Sequence, residues 1–208
     1  HDLRFIVNTL KSTKKGTGLS LKRLFTTSYF LPMNDFLVDL TTILATLIVT
    51  QISKDNSTFL DEQFLQIADF IPLRDQQNTK VSAGDVAWHL DHSLKTINRI
   101  YEVLKSSNPK EYKWSFSFSR VFVFTSGIIP RGVARAPKSV RPPEVILTEN
   151  LHLQLEQARE NLKKFGDLKD KAHFKHPYFK VLDKTQSIRF LKIHTRHHLK
   201  IVRDILKE

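Results

Sequence analysis

Residues 185–205 read T-Q-S-I-R-F-L-K-I-H-T-R-H-H-L-K-I-V-R-D-I. Ile188, Leu191, His194, His198, Ile201, Val202 and Ile205 recur at steps of three and four. That spacing stacks them on one stripe of an α-helix, with Thr185 placed to cap it. Two of the inner positions are histidines. Their Cβ atoms, four residues apart on a helix, stand about 6 Å from each other. His197 turns to the flank, beside Arg196 and Lys200. A helix that buries imidazoles needs a second element to face them.

That element is V-S-A-G-D-V-A-W-H-L-D-H at 81–92. Ser82 or Asp85 opens a helix, and Val86, His89, Leu90, Leu94, Ile97, Ile100, Tyr101 and Leu104 form its stripe to about Lys105. Ser106-Ser107-Asn108-Pro109 stops it. His89 lies on the stripe; His92, three residues on, shares or borders that face.

The same periodicity predicts two more helices. One follows a cap at Ser57 or Thr58, with Asp61 and Glu62 in its first turn, and ends at Pro72. The other runs from Asn150 to Phe165, with Gly166 as a left-handed cap. Residues 113–129 are ambiguous. W-S-F-S-F-S alternates as a strand does, while Trp114, Phe118, Val121, Phe122 and Thr125 fit a helix face. Among helical neighbours it is read as helix. Residues 73–81 read as a polar loop, and 167–182, containing H-P-Y-F, as another. Residues 130–143 carry four prolines, three arginines, one lysine and no acid. A loop of that length in a compact domain often lines a site. No internal repeat and no nucleotide-binding glycine loop is present.

Composition agrees with a mainly helical, packed protein. Of 208 residues, 40% are hydrophobic and 26% charged, with 6 Gly and 8 Pro. The absence of cysteine excludes disulfides, zinc fingers and a protein thiol nucleophile. The formal charge of +12 is spread along the chain, usually with acids nearby, which reads as a solvated basic surface. Residues 1–34 are a basic arm with Asp2 as their one acid, and 36–52 an apolar helix too short to span a bilayer. A transit-type or membrane-surface role fits that arm by composition, with peripheral membrane contact the minor reading. Met33 is the only methionine. As a natural start, it would place 1–32 outside the biological domain.

Three imidazoles sharing an interior leave ring nitrogens unsatisfied, at about 1–3 kcal/mol each. A divalent ion removes that cost by taking one nitrogen from each ring; a closed polar network removes it too. Both readings fit the spacing. Three histidines without a fourth protein ligand form the open arrangement of a catalytic metal site. All-nitrogen ligation suits Zn, Ni, Fe or Cu.

V-S-A-G-D-V-A-W-H-L at 81–90 with H-T-R-H-H-L-K-I at 194–201 resembles the DinB/YfiT-like superfamily. H-P-Y-F-K-V-L at 176–182 and P-R-G-V-A-R-A-P-K at 130–138 resemble a subfamily of unknown function within it. The resemblance covers about 57–208, leaving 1–56 as an N-terminal extension. It implies an all-α four-helix bundle with a long crossover between its second and third helices. It also implies a divalent metal on His89, His194 and His198, with His92 the rival for the first position and His197 beside the pair as an outer neighbour. Characterised relatives are metal-dependent transferases or isomerases that use small thiols.

The expected function is a metal-dependent enzyme, a transferase or hydrolase, acting on a thiol or another small anionic nucleophile. Arg131, Arg135 and Lys138 are candidates for holding a substrate carboxylate, against a solvated loop. The alternative is a non-catalytic metal-binding or stress-related interaction module, with a homodimer among the expected partners. Nucleic-acid binding is disfavoured, since no such motif accompanies the charge. A cytoplasmic location is expected.

Overall fold

The computed structural model describes residues 41–47 and 58–207. The basic arm, the remainder of the 36–52 helix and the Ser57 cap lie outside the described residues; 41–47 are helical. From residue 58 the elements are α1 (Asp61–Phe70), α2 (Val86–Ser106), α3 (Phe118–Ser126), α4 (Thr148–Lys163), the strands β1 (His173–His176) and β2 (Lys180–Asp183), and α5 (Lys184–Ile205). The class is all-α, with one small hairpin as its β component.

α2 packs against both α4 and α5, and α1 packs against the same two helices. Four helices thus surround one core. Phe64, Ile67, Leu90, Leu94, Leu104 and Leu162 are among the side chains it encloses completely or nearly so. Each such side chain contributes about 1.5–3 kcal/mol of burial. Phe165 packs edge-on to Phe59 at 5.4 Å between ring centres. Residues 107–147 connect α2 to α4 and contain α3, which leans on α5.

The helices that carry the clustered histidines, α2 and α5, both start on an aspartate cap. Asp85 Oδ1 accepts from Trp88 N at 2.7 Å, an N-cap in extended backbone. At the start of α5, Gln186 N donates to Asp183 Oδ1 while Asp183 N donates to Gln186 Oε1. This reciprocal box replaces the expected cap at Thr185. Asp183 wins because its carboxylate sits one residue before the first helical turn.

Other expectations need correction. α1 has Leu60 at its N-cap and no side-chain cap, because the chain enters through a turn in which Asp61 N donates to Thr58 O. Pro72 does not end the helix cleanly; a 3-10 turn, Ile71–Leu73, extends it. Helix α4 begins at Thr148 and ends at Lys163, and Gly166 is not left-handed. The turn instead closes by Phe165 N to Leu162 O, and Gly166 O accepts from the buried Lys184. Residues 167–182 are not all loop: β1 and β2 pair antiparallel, with His176 opposite Lys180. Within the turn, His176 Nδ1 accepts from Tyr178 N and Phe179 N, both at 3.1 Å.

Residues 113–129 divide between the two readings given them. Only Phe118–Ser126 is helical; W-S-F-S stays extended. Ser117 caps α3 by accepting from Arg120 N, and Gly127, at φ +68°, closes it with its N–H on Val123 O.

Candidate metal centre

The stripes of α2 and α5 meet, and their histidines meet with them. His92, His194 and His198 each offer a ring nitrogen within 4.8 Å of the other two. His92 and His198 rings are 4.8 Å apart, His194 and His198 4.5 Å, and His92 and His194 5.1 Å. The helical i, i+4 pair expected at 194 and 198 is therefore complemented from α2 by His92, seven residues after the cap.

His92 is oriented from behind. Its Nδ1–H donates to Val140 O at 2.8 Å, since a carbonyl can only accept. In the neutral ring this leaves the lone pair on Nε2. A backbone carbonyl fixing the far nitrogen is the usual support for a metal-ligating imidazole. Trp88 stacks on the same ring at 5.1 Å and 27°. Gly84 permits that placement: a Cβ there would stand 3.0 Å from Trp88 Cγ.

His89 lies beside the cluster. Its Nδ1 is 3.0 Å from His198 Nδ1, so one ring donates and the other accepts. Its Nε2 is 2.9 Å from Ser82 Oγ. Both nitrogens of His89 thus have protein partners. His194 differs, because its Nδ1 is buried with no hydrogen-bond partner. His197 is half-buried, edge-on to His198 at 5.1 Å.

The rings are held neutral. Burial, then the neighbouring histidines, keeps His194 and His198 well below the usual imidazole range. Burial lowers His92 as well, partly offset by its bond to Val140 and by Asp91. His89 falls to about 4 through burial, then His92, His197 and Arg131. His197 also falls to about 4 through burial, then Arg131, His92 and Lys200. Neutral imidazole is the metal-binding form.

The loop residues occupy different positions. Arg131 donates to Asp204 of α5 at 2.6 Å, so its guanidinium is already engaged near the histidines. Arg135 is exposed, with its backbone N–H on Tyr178 Oη. Lys138 is exposed and opens the 3-10 turn that presents Val140 O to His92.

Sequence reasoning did not find Val140, Trp88 or Ser82 as supports of the rings. Periodicity reports which face a residue takes, not which loop carbonyl arrives against it. The hairpin position of His176 was missed for a similar reason. Its ring stacks on Phe179 at 4.4 Å, and burial alone lowers it to about 4.

Among the described residues no helix is long and apolar enough to cross a membrane. The cluster fits a metal on two grounds: three neutral imidazoles within ligand spacing, and an orphaned buried nitrogen on one of them. Comparison of the chain with known family models, curated proteins and solved structures finds no match.

Proposed function

We propose that the chain is a DinB/YfiT-like protein that holds a divalent metal on His92, His194 and His198. We propose further that it is a metal-dependent enzyme using a small thiol or another anionic nucleophile. The observation that carries the reading is the buried cluster of neutral imidazoles with an unsatisfied nitrogen on His194. The four packed helices and the long 107–147 connection support the family reading.

A metal on three imidazoles supplies an open position and lowers the pKa of a thiol or water bound there. The protein's own part is to orient and exclude. Val140 O fixes the tautomer of His92, and His89 fixes one nitrogen of His198. Trp88 and Phe190 wall the rings with apolar surface, Phe190 standing 5.1 Å from His194. The chain has no cysteine, so a thiol must come from the substrate.

The test is metal analysis followed by a spectroscopic titration. Wild type is expected to bind one divalent ion, and His194→Ala/His198→Ala to bind none. The cobalt-loaded protein, given a small thiol, is expected to develop a sulfur-to-cobalt charge-transfer band. Full occupancy in the double variant would remove the ligand assignment. Metal without the band would leave a non-catalytic metal-binding module.

A further inference from the structure

The segment W-S-F-S-F-S at 114–119 is turned inside out. In a folded protein an alternating segment sends its apolar residues inward. Here Ser117 is buried and Ser115 half-buried, while Trp114, Phe116 and Phe118 are 66%, 44% and 82% exposed. The serines do the inward bonding. Ser115 Oγ accepts from Val181 N at 3.0 Å, and Ser117 Oγ donates to Tyr178 O at 3.2 Å. Buried Arg120 completes the fastening, with its guanidinium on the carbonyls of Ser115, Phe179 and Val181. A buried cation with three carbonyls is a costly way to hold a loop unless its position matters.

The apolar face continues onto α3. Val121 and Phe122, one turn beyond Phe118, are 46% and 56% exposed. Phe116 and Phe118 touch edge-to-face at 4.7 Å, and Trp114 adjoins Phe116. The result is a contiguous aromatic patch on a rigid base, beyond the singly scattered apolar residues of an ordinary surface.

Charge identifies the occupant. From Tyr112 to Pro143 the sequence has no acid and six cations, of which Arg120 is buried and Arg131 is paired with Asp204, leaving four. Lys113 precedes Trp114 and is exposed. Arg189 lies over Phe124 on the flank of α3 and donates to its carbonyl. The exposed Arg135 is tethered by its backbone N–H to Tyr178 Oη. Two acids lie at the margin, Glu111 bonded to the neutral Asn108 and Asp183 capping α5. A second copy docked by a two-fold axis would set these cations against their twins without a counter-charge. An anionic surface would pair them. Phenylalanine on the outer face of a short surface helix, tryptophan in the segment before it, and lysine and arginine beside them are the composition of an interfacial membrane contact.

We infer that the 114–122 platform docks the protein on an anionic phospholipid surface, inserting Trp114, Phe118 and Phe122 among the headgroups. The inference is independent of the metal reading. The test is co-sedimentation of the full chain with vesicles of phosphatidylcholine alone and of phosphatidylcholine mixed with phosphatidylserine. Binding is expected only to the mixed vesicles, weakening as salt rises. Phe118→Ser/Phe122→Ser is expected to lower the partition coefficient about tenfold or more, since two inserted phenyl groups are lost. Both residues face outward, so the melting temperature serves as the folding control. In the unsubstituted chain, Trp114 fluorescence should shift to the blue on the mixed vesicles, and a Trp114→Phe variant should lose that shift while Trp88 remains. Equal binding by the double variant, or no blue shift, overturns the proposal. So does a lack of vesicle binding together with a dimer that the double variant dissolves, which would make a second copy the occupant.

Discussion

Helix α2 buries polar side chains on two faces, and the faces are finished differently. Toward α4, Asp91 Oδ1 accepts from Gln154, Lys95 pairs with the other carboxylate oxygen at 2.7 Å, and Asn161 joins Asn98 to Gln157. That network sets donors against acceptors, with Gln154 Oε1 left over. Toward α5 the grouped side chains are imidazoles. Neutral rings can pair N–H to N, as His89 does with His198, but His194 Nδ1 is left bare. An orphaned imidazole nitrogen with two others at ligand spacing is what a metal completes; an amide oxygen left over in a mixed network is not.

The sharpest way to break that comparison is to separate His92 from His89. His92→Ala removes one of three grouped nitrogens. It is expected to lower metal affinity by more than the roughly 10- to 100-fold that loss of an outer partner costs. His89→Ala removes the bonds to His198 and Ser82 and no grouped nitrogen, and is expected to fall within that range. Competition titration against a chromophoric chelator measures both. The reverse order would make His89 the ligand and His92 its support.

Acid separates the faces next. Burial keeps His194 and His198 well below the imidazole value of about 6.5 that they have in the unfolded chain. The unfolded state therefore binds the extra protons first. Stability in the metal-free protein is complete above about pH 6.5 and falls as pH drops below it, by about 1.4 kcal/mol per pH unit for each buried ring. For His89 that decline continues to about pH 4. Melting of chelator-treated protein between about pH 7 and about pH 5 reads the slope. A flat profile would mean that the rings are not held neutral by the fold.

The α4 side gives a smaller and opposite signature. Asn161→Ala strands the side-chain oxygen of half-buried Asn98, at about 1–3 kcal/mol of stability, while exposed Gln157 turns to water. Metal affinity should stay unchanged. A parallel loss of metal would show that the two faces of α2 are coupled.

How far the sequence carried this arrangement depends on the range of the signal. Period-3.6 stripes located α2 and α5 and put His194 and His198 on an inner face, because helical geometry converts spacing into direction. The same rule was silent between His89 and His92, which lie 300° apart in turn and both fall near a broad stripe. Their separation came from a loop: Val140 O arrives from 48 residues away to accept a hydrogen bond from the His92 Nδ1–H. W-S-F-S-F-S shows the complementary failure. Its alternation was legible, but pattern alone assumes that the aromatic side faces in, and Arg120 with the hairpin carbonyls reverses it. The hairpin itself was too short, at four residues a strand, to stand out from loop.

The smallest prediction tests whether the ring geometry depends on the loop before α2. Gly84 carries no unusual φ, so its requirement is spatial. An added Cβ would meet Trp88 Cγ, Cδ2 and Cβ at 3.0, 3.1 and 3.2 Å. The indole must then give by a few tenths of an ångström, and it is the indole that stacks on His92. Gly84→Ala is expected to cost about 1 kcal/mol or more, at the low end of an overpacking change. It should also weaken metal binding by a few-fold, through displacement of the His92 ring. Thermal melting of the metal-free variant gives the first number and chelator competition the second. A stability loss with undiminished affinity would mean that Val140 alone holds His92 in register, and would move Trp88 from the metal centre to the core.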